Sequence, residues 1–165
     1  MKYQQHIIID GYNYIFRRNP AIIGDHESLW RAREELVSQI IAYRGNKQIQ
    51  ISIVFDGQDL KNIGRLHRPR GIHVLFSSAP QKADPLIIEM VHKAKQTRDI
   101  TVVTSDSQLA AAVSAMGCLV LSVENFADKL YRRNERHVEN KYNVNLSPDE
   151  LDEWIDLFSN NDDKK

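Results

Sequence analysis

The hydrophobic and polar positions of the chain follow two different periods in turn, which predicts alternating strands and helices. Continuous apolar stretches predict buried strands over residues 6–10, 49–55, 72–76, 100–103 and 118–121. Apolar residues at helical spacing predict helices over residues 28–43, 85–95 and 105–115, and another from about residue 123. This order of elements indicates an α/β fold with a largely parallel central sheet flanked by helices.

Residues with a high capping propensity mark the starts of several of these helices. Ser28 is the expected cap of the first long helix. Asp84 is the expected cap of a helix whose first turn contains Pro85. Ser147 begins the spacing of a capping box and predicts one further helix near the end of the chain.

Length and composition fit an ordinary globular protein. The chain has 165 residues, of which 42% are hydrophobic and 27% charged. We expect one domain over residues 1–158 and a disordered tail over residues 159–165. No apolar run is long enough to span a membrane, and the N-terminal apolar stretch is too short for a signal peptide. Together with the single cysteine, Cys118, which excludes an internal disulfide, these features predict a cytoplasmic protein.

The charges are unevenly distributed along the chain, although the formal net charge is zero. Residues 149–165 contain seven acids and two lysines, a net charge of −5, so the remaining 148 residues carry about +5. Residues 60–83 contain five cations and no acid. A basic surface for a polyanion is therefore available on a molecule that is neutral as a whole.

Three aspartates fall at element boundaries where an open α/β sheet places its ligands. Asp10 ends the first strand, Asp84 opens a helix, and Asp106 follows the strand over residues 100–103. Carboxylates that converge repel one another, so such a cluster is stable mainly with a divalent cation, and oxygen ligands favour Mg²⁺ or Mn²⁺. An acid in such a place is also commonly a helix cap or a turn residue. Spacing alone leaves both interpretations open.

Four short strings add to this picture. They are Ile8-Ile9-Asp10-Gly11-Tyr12-Asn13, Val54-Phe55-Asp56-Gly57, Lys82-Ala83-Asp84 and Val103-Thr104-Ser105-Asp106. In order and spacing they resemble the NYN domain family, and more narrowly its bacterial YacP-like branch. The resemblance covers essentially the whole chain. It implies a three-layer PIN-like fold, related to FLAP nucleases, and metal-dependent cleavage of RNA.

The resemblance also implies roles for individual residues. It implies that three residues act as catalytic acids and as ligands of Mg²⁺ or Mn²⁺, namely Asp10, Asp84 and Asp106. Asn13 matches the family's catalytic asparagine, which is expected to orient a metal-bound water or a carboxylate, or else to act as a cap. Asp56 is expected to be a peripheral acid rather than a ligand. Ser105 is expected either to hydrogen-bond a site carboxylate or to cap its own helix.

One position departs from the family pattern. The family commonly has a second acid directly after the aspartate of the A-D string, where this chain has Pro85. Glu89 lies more than one helical turn beyond Asp84, so we do not expect it to replace that acid. Whether the site takes one metal ion or two is therefore left open.

Two groups of basic residues are candidates for binding the RNA backbone. The first follows the second strand and comprises Lys61, Arg65, Arg68, Arg70 and Lys82. The second lies at helical spacing after residue 123 and comprises Arg132, Arg133 and Arg136, although a solvated charged face has the same pattern. Tyr12 and Tyr14 flank Asn13 and either stack on bases or, as the more common role, pack against the sheet.

Three classes of function are compatible with these residues. The first is an endoribonuclease of RNA decay or processing, in which a metal-activated water leaves a 3′-hydroxyl and a 5′-phosphate, as the resemblance implies. The second is a catalytically weak module that binds RNA, a ribosome or another ribonucleoprotein, which Pro85 favours. The third is a receiver or phosphatase phosphorylated on Asp10. The absence of a D-x-D string after the first strand argues against this class. We predict the first, with single-stranded or loop RNA as partner and no membrane.

Overall fold

The computed structural model describes residues 5–57, 70–78 and 82–142, with side chains described as far as Arg132. The strands are β1 (Gln5–Asp10), β2 (Ile49–Phe55), β3 (Ile72–Phe76), β4 (Ile100–Val103) and β5 (Leu119–Leu121). The helices are α1 (Gly11–Arg18), α2 (His26–Arg44), α3 (Ala83–His92), α4 (Ser107–Ala115) and α5 (Val123–Tyr142). Short 3₁₀ turns occupy Pro20–Ile22 and Thr97–Asp99.

The described strands form one five-stranded sheet in the order β3-β2-β1-β4-β5, and every neighbouring pair is parallel. β1 lies in the middle, and its Ile8 and Ile9 are completely buried because helices cover both faces of the sheet. The sequence prediction of an α/β fold with a parallel central sheet flanked by helices is confirmed.

Alternate residues of β1 belong to two separate hydrophobic clusters, one on each face of the sheet. Ile7 and Ile9 pack in a cluster with apolar residues of α1, α2 and α5. Ile8 packs in the other cluster, with apolar residues of α3 and α4. Because side chains alternate along a strand, the continuous apolar run of β1 supplies both layers of the core at once.

The ends of α2 follow from local hydrogen bonding. The Asp25 carboxylate caps the first turn by accepting a hydrogen bond from the backbone of Glu27 at 3.1 Å and another from the Ser28 hydroxyl. Gly45 stops the helix at φ 47°, a left-handed conformation that glycine adopts without strain. The predicted cap at Ser28 is therefore wrong, because Asp25 begins the helix earlier.

The other helix starts also differ from the sequence predictions. α1 was not predicted at all, because its eight residues follow β1 without a linker and are too few to establish a helical period in the sequence. α3 begins at Ala83, so Asp84 lies inside its first turn and does not cap it. α4 begins at Ser107 and is capped by Asp106 rather than starting at Ser105.

The chain divides into two compact units, Met1–Arg132 and Arg133–Lys165. The described part of the second unit is the continuation of α5 to Tyr142. The predicted helix at Ser147 and the predicted tail lie outside the described residues, and one domain over residues 1–158 stays a prediction. None of the helices described has both the length and the apolar character needed to cross a membrane.

Candidate active site

The carboxyl ends of three neighbouring strands bring the acidic residues to one edge of the sheet. Asp10 is the last residue of β1, and β2 and β4 pair with β1 on either side. Asp56 directly follows β2, and Thr104 directly follows β4. In parallel sheets this edge is where ligands bind, because the strands end together and the loops that follow them meet there.

Asp10 is buried at this edge, with 6% of its surface exposed. Its Oδ1 accepts a hydrogen bond from the backbone N–H of Asn13 at 3.4 Å, and its Oδ2 accepts one from the Thr104 hydroxyl at 3.2 Å. Desolvation by burial raises the pKa of Asp10 to about 7, with smaller upward contributions from the charges of Asp84 and Asp56. The two hydrogen bonds oppose this rise by stabilising the ionised form.

Gly11 lets α1 begin directly after Asp10. A Cβ atom at this position would lie 2.3 Å from Cε1 of the Phe55 ring, closer than any real Cβ contact. The absence of a side chain therefore allows the first turn of α1 to pass over Phe55, which is completely buried. This close approach explains the glycine of the D-G-Y-N string in terms of packing.

Asn13 connects α1 to the loop that follows β4. Its Oδ1 accepts a hydrogen bond from the backbone N–H of Ser105 at 2.8 Å and lies 3.5 Å from the Thr104 hydroxyl oxygen. The Thr104 hydroxyl also accepts a hydrogen bond from the backbone N–H of Asp106 at 3.1 Å. Asn13 and Thr104 therefore fix the loop carrying Asp106 relative to Asp10.

Asp84 and Asp56 lie close together at the start of α3. The Asp56 carboxylate accepts a hydrogen bond from the backbone N–H of Ala83 and so anchors the first turn of the helix. Asp84 is half-buried, and burial raises its pKa, followed by the charges of Asp106 and Asp56, while Lys82 opposes the rise. Among the described residues, none donates a hydrogen bond to the Asp84 carboxylate.

Asp106 is the N-cap of α4. Its Oδ1 accepts hydrogen bonds from the backbone N–H groups of Gln108 and Leu109 at 2.8 and 2.9 Å. Its charge nevertheless acts on Asp84, and Asp84 acts on Asp10. The four acids are therefore connected pairwise: the charges of Asp84 and Asp56 act on Asp10, and those of Asp106 and Asp56 act on Asp84.

Ser105 has a role that the sequence did not indicate. Its hydroxyl accepts a hydrogen bond from the backbone N–H of Val123 and donates one to Glu124 Oε2, both at 3.0 Å. Ser105 thus binds the start of α5, and the expectation that it caps its own helix is wrong because Asp106 does so. Glu124 also pairs with Arg17, which lies 107 residues away in the chain. No local pattern in the sequence links residues so far apart.

The position after Asp84 is not compensated by Glu89. Glu89 is exposed and forms an ion pair with Lys93, one helical turn further along α3. Hydrogen bonding to Lys93 lowers the pKa of Glu89, whereas the pKa of Asp84 is raised. The acid that Pro85 replaces therefore has no substitute at Glu89.

The basic residues predicted to bind RNA are only partly described. Arg70, Lys82 and Arg132 are exposed, and the charge of Lys82 lowers the pKa of Asp84. Arg133 and Arg136 belong to α5, but their side chains are beyond the described part. The remaining residues of the first basic group lie outside the described residues, namely Lys61, Arg65 and Arg68.

The two tyrosines beside Asn13 pack against the protein. Tyr14 is buried and meets Phe126 edge to face, with ring centroids 6.2 Å apart. Tyr12 stacks on Phe16 at 5.6 Å and contacts Phe55 at 5.0 Å. Both rings therefore serve the packing of α1 in this structure.

The donor set fits a hard divalent cation in its chemistry. Several carboxylates repel one another here, one of them is buried, and another receives no hydrogen bond from the described residues. As the side chains are placed, however, the described part of the chain contains no group of three or more His, Cys, Asp or Glu residues arranged to hold a metal ion. A cation would therefore require the acids to move closer together.

Comparison with known proteins agrees with this architecture. The chain resembles the crystal structure of Rae1 (YacP) from Bacillus subtilis, with a TM-score of 0.67 and 22% identity, over 94% of this chain and 89% of that one. A tryptophan-to-leucine variant of the same protein gives a TM-score of 0.66 and 23% identity, over 82% of this chain and 79% of that one. No curated protein matches the chain.

These two likenesses establish the PIN-like fold, which the sequence resemblance predicted. The family itself is shown by a separate finding. The family model of the YacP-like NYN domain matches residues 7–158, which include all four candidate acids and nearly all of the described strands and helices. The chain therefore belongs to the YacP-like NYN domain family.

Proposed function

We propose that this protein is a metal-dependent endoribonuclease that hydrolyses RNA phosphodiester bonds at the carboxyl edge of its sheet. Membership of the NYN family indicates a PIN-like nuclease that acts on RNA. The observation that carries the proposal is the buried Asp10 at the strand ends, whose pKa is raised to about 7, with the charges of Asp84 and Asp56 acting on it and that of Asp106 acting on Asp84. A buried carboxylate next to other acids is costly to ionise unless a cation is bound.

Asp10, Asp84 and Asp106 would hold Mg²⁺ or Mn²⁺ in this proposal. When bound, the cation balances charge on the phosphodiester and lowers the pKa of a water molecule. The chain's own contribution is positional. Asn13 and Thr104 hold the loop of Asp106 against Asp10, and Asp56 anchors the helix that carries Asp84.

The basic residues supply the second requirement, which is a path for the RNA backbone. Lys82 acts electrostatically on Asp84, and Arg70 is exposed two residues before β3. Positive side chains neutralise phosphates and make binding depend on salt. We extend this role to the other predicted cations, which are Lys61, Arg65, Arg68, Arg132, Arg133 and Arg136. The expected substrate is single-stranded or loop RNA, and the expected setting is RNA decay or processing in the cytoplasm.

A catalytically weak binding module is the second candidate. Pro85 stands where the family commonly has an acid, and Glu89 does not replace it. Under this alternative the fold would hold RNA, a ribosome or another ribonucleoprotein without cleaving efficiently. The two candidates differ in one measurable respect, which is metal-dependent turnover.

The test is cleavage of a mixture of single-stranded and structured RNA with Mn²⁺, with Mg²⁺ and with EDTA. We expect cutting with either cation, none with EDTA, and a loss of about 10³-fold or more in Asp10→Asn and Asp84→Asn, because each removes a charged group from the centre. Glu89→Gln is the matched control, since Glu89 is an exposed acid of the same helix as Asp84. Cutting that survives both substitutions would exclude this site. Binding of RNA without any cutting would favour the binding module.

A further inference from the structure

An exposed arginine is attached to the acidic centre by a chain of hydrogen bonds. Arg17 Nε donates to Glu124 Oε1 at 3.1 Å, and its Nη2 lies 2.8 Å from the same oxygen. Both side chains are accessible to solvent, with 55% of the Arg17 side chain and 52% of the Glu124 side chain exposed. Isolated ion pairs on a protein surface contribute little to stability, so stabilisation of the fold does not account for the pairing of Arg17 with Glu124.

Glu124 is itself held by the loop of the acidic centre. Its Oε2 accepts a hydrogen bond from the Ser105 hydroxyl at 3.0 Å. The backbone N–H of Ser105 donates to Asn13 Oδ1 at 2.8 Å, and Ser105 is the residue directly before Asp106. The position of the Arg17 guanidinium is therefore linked to the acids through two residues, Glu124 and Ser105.

The position of Arg17 on α1 keeps it near that centre. α1 is capped by Asp10, and Arg17 lies seven residues further along, in the last turn of the helix. Seven residues of α-helix rise by about 10 Å. The charge of Arg17 does not act on Asp10 or Asp84, so it leaves the acids free to take a cation, while its long side chain would reach an RNA strand that passes over them.

Within the described part of the chain, the ion pair with Glu124 occupies only part of the Arg17 guanidinium. An arginine side chain has five N–H donors in a planar fork, and Glu124 Oε1 engages two of them. The remaining donors match a phosphate, which arginine binds through two parallel hydrogen bonds. Because Glu124 already restricts the rotamers of Arg17, less conformational entropy is lost when the anion binds.

We propose that Arg17 binds a phosphate of the RNA strand beside the acidic centre and that Glu124 is the residue that positions it. This inference rests on the proposed function, since it takes RNA as the ligand. It adds a phosphate contact on α1 to the two basic groups recognised in the sequence. It also explains why a glutamate and an arginine so far apart in the chain meet next to Ser105.

Arg18 provides a matched control for Arg17. It is the next residue of α1 and is also exposed to solvent, but its charge acts on Tyr14 and not on Glu124. Replacing either arginine by alanine changes the net charge by the same amount. Any difference between the two variants therefore reports position and not the total charge.

The experiment measures binding of a fluorescently labelled single-stranded RNA by anisotropy in EDTA, over a range of salt concentrations. We expect Arg17→Ala to bind about tenfold more weakly and its slope of log K against log salt to fall by about 0.7, the value for one phosphate contact of a single strand. We expect Arg18→Ala to stay within about twofold of the wild type. Equal Kd values and equal slopes for the two variants would overturn the proposal.

The role of Glu124 is tested in two backgrounds. Glu124→Ala should weaken RNA binding about threefold in the wild type, because Arg17 then samples more rotamers. The same substitution in an Arg17→Ala protein should have no effect, since the residue it positions is gone. An equal change in both backgrounds would mean that Glu124 acts on its own charge or on the fold, and would overturn its positioning role. Thermal unfolding of each variant checks that the fold is retained.

Binding in EDTA does not depend on catalysis, so this inference and the proposed function can fail separately. Dependence of RNA binding on Arg17 in a protein that cuts no RNA would support the inference and contradict the nuclease proposal. Metal-dependent cutting without any dependence of binding on Arg17 would overturn the inference alone. A wild type that neither binds RNA in EDTA nor cuts it with Mn²⁺ or Mg²⁺ would overturn both.

Discussion

Each end of β1 carries an ionisable side chain that is desolvated by burial, but the surroundings of the two side chains compensate the cost of this burial to different extents. At the amino end, His6 Nε2 lies 2.8 Å from the buried Ser52 hydroxyl, and desolvation, followed by the charge of His73, lowers the pKa of His6 to about 4. At the carboxyl end, desolvation raises the pKa of Asp10 to about 7. Burial thus favours the neutral form of both residues.

The difference lies in the neighbours. His6 has a neutral hydrogen-bond partner, so its uncharged form is satisfied without any ligand. Asp10 has two further acids whose charges raise its pKa, so the repulsion at that end persists whenever they are ionised. Burial alone therefore does not identify a site. A desolvated group surrounded by like charges is the one that requires a ligand of opposite sign.

The largest expected effect comes from adding a side chain to Gly11, where α1 passes close to Phe55 at the carboxyl end of β1. Gly11→Ala places a Cβ atom 2.3 Å from the Phe55 ring, so α1 or the ring must shift. We expect the free energy of unfolding to fall by roughly 3 kcal/mol or more, at or above the upper end of the usual range for overpacked cores. Urea unfolding measures this loss.

A second substitution shows whether the loss comes from this contact. Gly11→Ala combined with Phe55→Leu should be more stable than Gly11→Ala alone, because the smaller side chain vacates the position of the ring. A Gly11→Ala protein as stable as the wild type would show that the first turn of α1 does not depend on this contact.

The next effect is a pH dependence of opposite sign at the two ends. The folded pKa of His6, about 4, lies below the ordinary 6.5, so the unfolded chain binds more protons between these values. Stability that neutral His6 contributes is therefore present above pH 6.5 and is lost as the pH falls through 4. We expect about 3 kcal/mol from this group alone. Asp10 has the opposite sign, because its contribution is complete below pH 3.8 and is lost as the pH rises through 7.

Single variants separate the two contributions, which largely cancel in the wild type. Relative to the wild type, Asp10→Asn should gain stability as the pH rises from 4 to 7, since only the His6 contribution remains. His6→Gln should lose stability over the same interval. Unfolding free energies measured at several pH values without divalent cations test both directions, and parallel curves for the three proteins would refute the comparison.

The smallest of these effects is the stability gained when the acid is removed. At pH 8 without metal, Asp10 is ionised, and its raised pKa means that this ionisation lowers the stability of the fold. A neutral asparagine side chain at this position would avoid the loss. We expect Asp10→Asn to be more stable by about 2 kcal/mol under these conditions, after allowing for weaker hydrogen bonds to Asn13 and Thr104. A less stable variant would mean that the charge of Asp10 is well compensated in the metal-free protein.

The sequence predicted the strands better than the features that surround the acids. The apolar runs located β2, β3 and β4 at their observed bounds, because strands buried on both faces leave a continuous signal. α1 was missed because its eight residues follow β1 without a turn and are too few to establish a helical period. The four candidate acids were chosen from the element boundaries and the family strings, and their role as a site stays a prediction. The contact between Arg17 and Glu124 is tertiary, and no periodicity could predict it.

A calorimetric titration with Mn²⁺ at neutral pH tests whether the acids at the carboxyl edge form one cation-binding centre. We predict that the wild type and Glu89→Gln bind Mn²⁺ with equal affinity, and that Asp10→Asn and Asp84→Asn bind at least about tenfold more weakly, because each loses a charged ligand. Equal affinity in all four proteins, or no binding by the wild type, would contradict the claim.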